Sequence, residues 1–185
     1  LHYPIGTLVF SEITREEETC VRLQQLAEKN GTRLLFLEDK DQLQIDQAVL
    51  TIYLPEDDSG DKNEDSLVIL YEERGFLALL TGDIGKETEE RLLSSGLLKE
   101  VEVLKIAHHG SRYSSSRRFL ERVHPAVSLI SCSATNRYGH PGAETLERLR
   151  DAESRICATK DCGAIRIWTD GKKVRMRCVK KPVFL

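Results

Sequence analysis

Short apolar runs that alternate with polar positions occupy the chain from residue 7 to residue 80, a pattern typical of strands. They predict strands over residues 7–10, 33–37, 43–45, 48–54, 66–71 and 75–80. One amphipathic segment, residues 15–29, interrupts them and predicts a helix that ends at Asn30 and Gly31. Residues 55–62 are acidic and poor in apolar side chains, so we expect a mobile surface loop there.

After residue 83 the pattern changes to strands that alternate with helices. The sequence predicts helices over residues 86–98, 114–123 and 142–152, strands over 101–107, 126–132 and 155–158, and a hairpin of 163–168 with 173–179. Such alternation favours right-handed crossovers with helices that cover a parallel sheet. The pattern alone predicts a mixed α/β fold. A chain of 185 residues is too short for two domains of ordinary size, and we predict one.

Two of the predicted strands end in potential metal ligands beside a glycine. The first leads to Asp83, and the second leads to the pair His108 and His109. Neighbouring strands lie about 5 Å apart, and parallel strands end at the same edge of a sheet, so one cation can reach both ends. Mixed oxygen and nitrogen ligation suits Zn²⁺ or Mn²⁺. The sequence therefore predicts a divalent metal site, although Gly82 and Asp83 taken alone are more typical of a turn that ends a strand.

Six short motifs surround these residues, at 63–68, 79–83, 105–111, 114–116, 136–141 and 161–165. In content and order they resemble the metallo-β-lactamase-like domain of the ComEC family of DNA-uptake proteins. The resemblance implies an αββα sandwich formed by residues 1–185, with its core motifs between residues 63 and 167. It also implies that the chain is the later part of that domain, without its amino-terminal part.

The resemblance also assigns roles to particular residues. Asp83 matches the family's bridging carboxylate. One residue of the pair His108 and His109 is expected to bind metal and the other to orient substrate, with His109 favoured as the ligand. His140, in a Gly-His-Pro loop, is expected to protonate a leaving oxygen or hold a phosphate, unless it only fixes its loop. Substrate contacts are expected from Ser111, Arg112, Arg137 and Tyr138.

One feature remains open, and two depart from the family. Ser111 and serines 114–116 either bind phosphate at a helix N-terminus or cap that helix. The family signature His-x-His-x-Asp-His, which supplies most of the metal ligands, is absent from residues 1–62, where His2 is the only histidine. Asp65 stands where the family usually has a second Asn. We therefore expect an incomplete metal site that is weak or inactive in this chain alone.

The implied function is metal-dependent cleavage of DNA, single-stranded or duplex, during uptake for transformation. Its partners would be DNA and the membrane channel region of the same parent polypeptide, with the domain on the extracytoplasmic side of the cell membrane and no organic cofactor. Two alternatives stay open: a phosphoesterase that acts on a small or cell-wall phosphodiester, and a DNA-binding module without catalysis.

Charge and cysteine content narrow these alternatives only slightly. Residues 99–185 hold 18 of the 27 Lys and Arg and 9 of the 30 Asp and Glu, so 9 and 21 remain for residues 1–98. The later part is therefore the candidate polyanion-facing part, unless its charges are scattered.

No apolar run approaches the ~20 residues of a membrane span. The five cysteines lack CxxC spacing, which disfavours a zinc ribbon; Cys132 and Cys157 are expected in the core, and a bridge from Cys178 to Cys157 or Cys162 stays open.

Overall fold

The first strands and helix of the chain form a small parallel unit. The structure is a computed structural model that describes residues 4–54, 63–170 and 173–180. Strand β1 (Thr7–Ser11) is followed by helix α1 (Glu18–Lys29) and strand β2 (Arg33–Leu37). β1 and β2 pair in parallel, with α1 as the connection between them. The predicted loop at residues 55–62 lies outside the described residues.

A seven-stranded mixed sheet forms the centre of the fold. Four strands make an antiparallel meander: β3 (Gln42–Ile45), β4 (Ala48–Tyr53), β5 (Val68–Glu73) and β6 (Phe76–Leu80). Three further strands join beside β6 in parallel: β7 (Val103–Lys105), β8 (Val127–Ile130) and β9 (Arg155–Ala158). The strand order is therefore the order of the sequence, β3 to β9.

Three helices connect the parallel strands, as the alternating pattern predicts. They are α2 (Lys86–Ser94), α3 (Arg117–Val123) and α4 (Ala143–Asp151). Their apolar sides pack with the sheet in one core, in which Leu104, Phe119 and Leu149 are fully buried. After β9 come a short helix α5 (Thr159–Cys162) and an antiparallel hairpin of β10 (Ile165–Thr169) and β11 (Val174–Cys178).

Three local predictions differ from the structure. The β5–β6 turn, expected at residues 72–74 between the two predicted strands, lies instead at Arg74 and Gly75, and both have the positive φ that a tight two-residue hairpin turn requires. The predicted strand 101–107 is limited to Val103–Lys105, because the backbone turns before the histidines. Helix α5 was not predicted, since four residues are too few to show a helical period.

Cysteine and membrane predictions are tested within the described part of the chain. All five cysteines lie there with free thiols, so the bridge from Cys178 is not formed. Cys157 is buried, and Cys132 packs against the core, as predicted. Among the helices of residues 4–54, 63–170 and 173–180, none is long and apolar enough to cross a membrane.

Candidate active site

Asp83 is held at the end of β6 by a tight turn. Gly82 adopts φ 56°, and a Cβ there would approach the Ser66 Cβ to 2.7 Å, so this close turn requires glycine. The backbone N–H of Asp83 donates to the Ser66 hydroxyl at 3.1 Å. The Thr81 hydroxyl donates to the Lys105 carbonyl at 2.6 Å, which ties β6 to β7 directly below the site.

The two histidines lie in a turn, not in a continued strand. His108 and His109 both have positive φ, 47° and 56°, within the 3-10 turn Ala107–Gly110. The backbone N–H of His108 donates to the Gly82 carbonyl at 3.2 Å, which brings this turn beside the turn that carries Asp83. As predicted, the two neighbouring strands therefore end side by side. The orientation of the two rings, however, is set by the turn.

His109 and Asp83 face each other. The His109 Nε2 lies 3.7 Å from the Asp83 Oδ2. On the other side of the ring, Nδ1 lies 2.7 Å from the Ser131 carbonyl oxygen, which can only accept. The proton is therefore assigned to Nδ1, and the lone pair of Nε2 points towards the carboxylate when the ring is neutral.

This pair fits one side of a divalent-metal site. Two ligands bonded at ~2.1 Å to a tetrahedral cation are roughly 3.4 Å apart, so a separation of 3.7 Å is close to that of ligands sharing one ion. The geometry favours His109 over His108 as the ligand. Within the described residues, however, no group of three or more His, Cys, Asp or Glu side chains could hold a metal ion.

His140 lies opposite His108, in a loop that Asn136 closes. The Asn136 amide donates to the carbonyls of Ser133 and His140, both at 2.7 Å, and the backbone N–H of His140 donates to the Asn136 Oδ1 at 2.8 Å. Asn136 therefore fixes the loop, and within the described ranges the His140 imidazole forms no hydrogen bond that would do so. The His140 ring contacts the His108 ring, with centroids 5.7 Å apart, and stacks on Tyr138 at 5.8 Å. Burial and the two neighbouring histidines lower the pKa of His140, and the Asp83 charge partly opposes this.

Two cavities open on either side of His140 and Tyr138. The first, about 590 Å³, is lined by His108, Ser111, Arg112 and Glu144 among others. The second, about 400 Å³, is lined by His109, Ser131, Asn136 and Thr159 among others. The two cavities share His140 and Tyr138 and are together called the cleft; His108 borders the first cavity, and His109 of the Asp83–His109 pair borders the second.

Three of the predicted substrate residues, Ser111, Arg112 and Tyr138, line the cleft, and Arg137 precedes Tyr138 in the chain without lining either cavity. Tyr138 is 79% exposed, and Arg137 is also exposed. The Arg112 guanidinium lies 3.9 Å from a Glu144 carboxylate oxygen and above the Tyr113 ring. Ser111 is only 2% exposed, although it lines the first cavity. The four substrate contacts stay predictions.

Residues 114–116, the serine segment, follow the histidines and are held by Glu89. The sequence did not predict this role of Glu89. Glu89 on α2 is fully buried, and its carboxylate accepts the backbone N–H groups of Ser115 and Ser116. The Ser116 hydroxyl caps α3 by accepting the N–H of Phe119 at 3.3 Å. The capping alternative for Ser116 is thus the one observed, and a protein carboxylate accepts the N–H groups that a phosphate would need. Burial raises the pKa of Glu89, partly offset by these hydrogen bonds.

Two cationic side chains near the site were also missed. Arg148 on α4 donates to the carbonyls of Ser114 and Ser115, both at 2.8 Å, and so holds the serine segment from the other side. The Lys105 ammonium donates to the Ile106 carbonyl at 2.7 Å. Burial lowers the pKa of Lys105, and the Asp83 charge opposes this. The only signal for such residues in the sequence is a charged residue on an otherwise apolar face, such as Glu89 three residues before Leu92.

Comparison with a solved structure defines the class of fold. The crystal structure of the metallo-β-lactamase fold protein YhfI from Bacillus subtilis matches 92% of this chain and 65% of its own, with a TM-score of 0.50 and 8% identity. The chain therefore has a metallo-β-lactamase fold, and the predicted fold class is confirmed. No protein-family model matches the sequence.

Sequence relatives define the family within that class. ComE operon protein 3 of Bacillus subtilis is 31% identical over 166 residues, which are 89% of this chain and 21% of the relative. Recombination protein 2 of Haemophilus influenzae is 33% identical over 105 residues, and competence protein ComA of Neisseria gonorrhoeae is 34% identical over 107, each covering 57% of this chain. The chain belongs to the ComEC family and is part of its metallo-β-lactamase-like domain. It spans about a fifth of the length of ComE operon protein 3.

Proposed function

We propose that this domain provides part of a divalent-metal site that cleaves the DNA backbone during DNA uptake. The observation that carries the proposal is the distance of 3.7 Å between the Asp83 Oδ2 and the His109 Nε2, beside the cavity that His109 and His140 line. The names of the relatives, which refer to competence and recombination, support DNA as the substrate. By the same family resemblance, the parent would be a membrane protein whose channel region is this domain's partner.

Asp83 and His109 would hold the metal, Zn²⁺ or Mn²⁺. A bound divalent ion supplies Lewis-acid activation of water and neutralises charge on a phosphate. Ser131 keeps the Nδ1 proton of His109 in place, which leaves Nε2 for ligation. Arg112 and Arg137 would pair with phosphoryl oxygens, and His140 would protonate the leaving oxygen or hold a phosphate.

The other metal ligands would come from a preceding segment of the parent polypeptide. Exposed apolar side chains on the first unit support a further segment that packs there, since Ile5, Leu23 and Leu26 are exposed and line one cavity. Apolar side chains that cluster on a surface in this way mark a face that another part of a protein covers.

The experiment compares the intact parent protein with two variants, using a DNA strand, a duplex and a small chromogenic phosphodiester. We expect Mn²⁺- or Zn²⁺-stimulated cleavage of DNA that EDTA abolishes and that Asp83→Ala reduces at least ~100-fold, since one of few ligands is lost. His124→Asn is the matched control, because His124 is an exposed histidine in a left-handed helix cap, where Asn is well tolerated.

The outcomes separate the alternatives. Unchanged cleavage by the Asp83→Ala parent would contradict the proposal. Cleavage of the chromogenic diester but not of DNA would favour the small-substrate phosphoesterase. The two-ligand arrangement is the observation that favours the second candidate, a DNA-binding module without catalysis. Salt-sensitive DNA binding by the intact parent, with no hydrolysis in any metal, would establish that candidate instead.

A further inference from the structure

The hairpin of β10 and β11 carries one face that the proposed active site does not use. In its register Arg166 lies opposite Arg177, and Trp168 lies opposite Arg175. Directly opposed residues of an antiparallel pair point to the same side, and so do residues two apart in one strand. These four residues therefore share one face, which we call the Trp–Arg face.

The Trp–Arg face is turned to solvent. All four of its residues are exposed, and Trp168, the only tryptophan of the chain, is 41% exposed. The residues that alternate with them, Ile165, Ile167, Met176 and Cys178, are half-buried on the opposite side. The Trp168 indole is therefore partly accessible to a partner, on the side of the hairpin that does not pack.

The positive charge on this face is only weakly compensated. Arg175 lies 3.9 Å from an Asp170 carboxylate oxygen, and both side chains are more than half exposed. Neither Arg166 nor Arg177 forms an ion pair with any carboxylate among the described residues. Like charges directly opposite each other on a sheet destabilise it, so this pair favours an anionic partner.

We propose that the Trp–Arg face binds single-stranded DNA. Trp168 would stack on an unpaired base while the three arginines pair with backbone phosphates, the combination that binds single strands with little sequence preference. An exposed indole flanked by guanidinium groups fits a base and its phosphates better than it fits an acidic peptide, which offers charge but no ring. The choice of DNA over RNA rests on the proposed function, whereas the binding itself requires no metal.

The hairpin is also connected closely to the cleft. Thr159 at the start of α5 lines the cavity beside His109, and its hydroxyl both donates to the Cys132 carbonyl and accepts the Cys132 N–H, each at 2.9 Å. β10 begins at Ile165, directly after α5. The return strand is tied back, since the Lys180 N–H donates to the Cys162 carbonyl at 2.8 Å. Single-stranded DNA bound on the Trp–Arg face would therefore be held by the same structural unit that borders the cleft.

The test is a titration of the 185-residue chain with oligothymidylate in EDTA. Since Trp168 is the sole tryptophan, stacking should quench the intrinsic fluorescence directly. Affinity measured by anisotropy of a labelled oligonucleotide should fall ~5- to 150-fold in Trp168→Ala, the equivalent of 1–3 kcal/mol of stacking, and less in Trp168→Phe. Arg166→Gln and Arg177→Gln should each lower the slope of log affinity against log salt by ~0.7.

Arg150→Gln is the matched control, because it removes one exposed arginine from α4, outside the Trp–Arg face. It should leave affinity and fluorescence quenching nearly unchanged. Equal losses in Arg150→Gln and Arg166→Gln would overturn the proposal, as would DNA binding without quenching. A spectral shift with phosphatidylglycerol vesicles but not with oligothymidylate would assign the face to an anionic membrane instead. Because EDTA is present throughout, binding can succeed where metal-dependent cleavage fails, so the two proposals fail separately.

Discussion

Replacing Glu89 by alanine should lower the free energy of unfolding more than the loss of an ordinary glutamate on a helix surface would. Glu89 is fully buried on α2, and its carboxylate is the acceptor for the backbone N–H groups of Ser115 and Ser116. These two groups lie just before α3, in the segment that follows the histidine turn. Truncation to alanine removes the acceptor of both without opening a path for water.

The size of the effect follows from three contributions. Each buried N–H left without an acceptor costs ~1–3 kcal/mol. The lost methylenes leave a small cavity and add to this cost. Removing a desolvated carboxylate is favourable and offsets part of it. We therefore expect Glu89→Ala to lower the free energy of unfolding by ~2–4 kcal/mol.

Urea denaturation followed by far-UV circular dichroism measures this difference, with Glu90→Ala as the matched control. Glu90 is the neighbouring residue on α2, but its carboxylate pairs with Arg118 at the surface, at 2.6 Å. An exposed ion pair contributes ~0–1 kcal/mol, so the control should be nearly neutral. If Glu89→Ala cost no more than Glu90→Ala, the reasoning that Glu89 holds the serine segment would be wrong.

The same residue predicts a dependence of stability on pH. Burial raises the pKa of Glu89 in the folded protein above its value in the unfolded chain, so the folded state binds the proton more tightly. The stabilisation from that proton is complete below the unfolded pKa of ~4.3 and is lost as the pH rises through the folded pKa. The stability advantage of the wild type over Glu89→Gln, which does not titrate, should therefore be larger near pH 5 than near pH 8. An advantage that grows with pH would contradict the direction of the shift.

Three further predictions concern single positions. Gly110→Ala should lower the free energy of unfolding by ~1–3 kcal/mol, measured by urea denaturation. Gly110 has φ 84°, and a Cβ there would approach the Pro141 Cβ to 2.7 Å. An unchanged free energy would show that the turn rearranges to accept the Cβ. Ser66→Ala should cost ~1 kcal/mol in the same assay by removing the acceptor of the Asp83 N–H, whereas a cost below ~0.3 would indicate that water replaces it. Burial and hydrogen bonding raise the pKa of the Cys162 thiol to about 12. Alkylation of Cys162 at pH 8, followed by mass spectrometry, should therefore be on the order of 1000-fold slower than in the urea-unfolded chain, and a similar rate in both would refute the shift.

The sequence was sufficient for features that depend on local pattern. The strand at 75–80 and the alternation after residue 83 together predicted four strands with three helices between them, since a short continuous apolar run is typical of a buried strand and a 3.6-residue period of an amphipathic helix. The rule that neighbouring parallel strands end at one edge then placed Asp83 and His109 together. Both predictions rest on regular geometry that short runs of residues encode.

The features that were missed depend on contacts between distant residues. The left-handed conformation of His108 and His109 ends β7 early, and neither residue type reveals this in advance. Glu89 and Arg148 hold the serine segment from two helices, 26 and 33 residues away from Ser115 along the chain. Charged residues on a helix are usually solvated, so only the tertiary structure shows that these two are internal.

The candidate ligand pair is positioned before a third ligand joins it, which leads to a final prediction. The Ser131 carbonyl orients the His109 ring, and the Ser66 hydroxyl fixes the backbone of Asp83. Groups that are already in position lose little freedom when a cation binds, so ligand number should limit the affinity of this chain for metal. A saturating cation stabilises a folded protein by about 2.7 kcal/mol at a hundred times its Kd. Zn²⁺ should therefore raise the thermal unfolding midpoint of the intact parent domain by several degrees and that of this chain by much less. Equal shifts in the two proteins, each reversed by EDTA and absent in Asp83→Ala, would show instead that the ligands within this chain suffice.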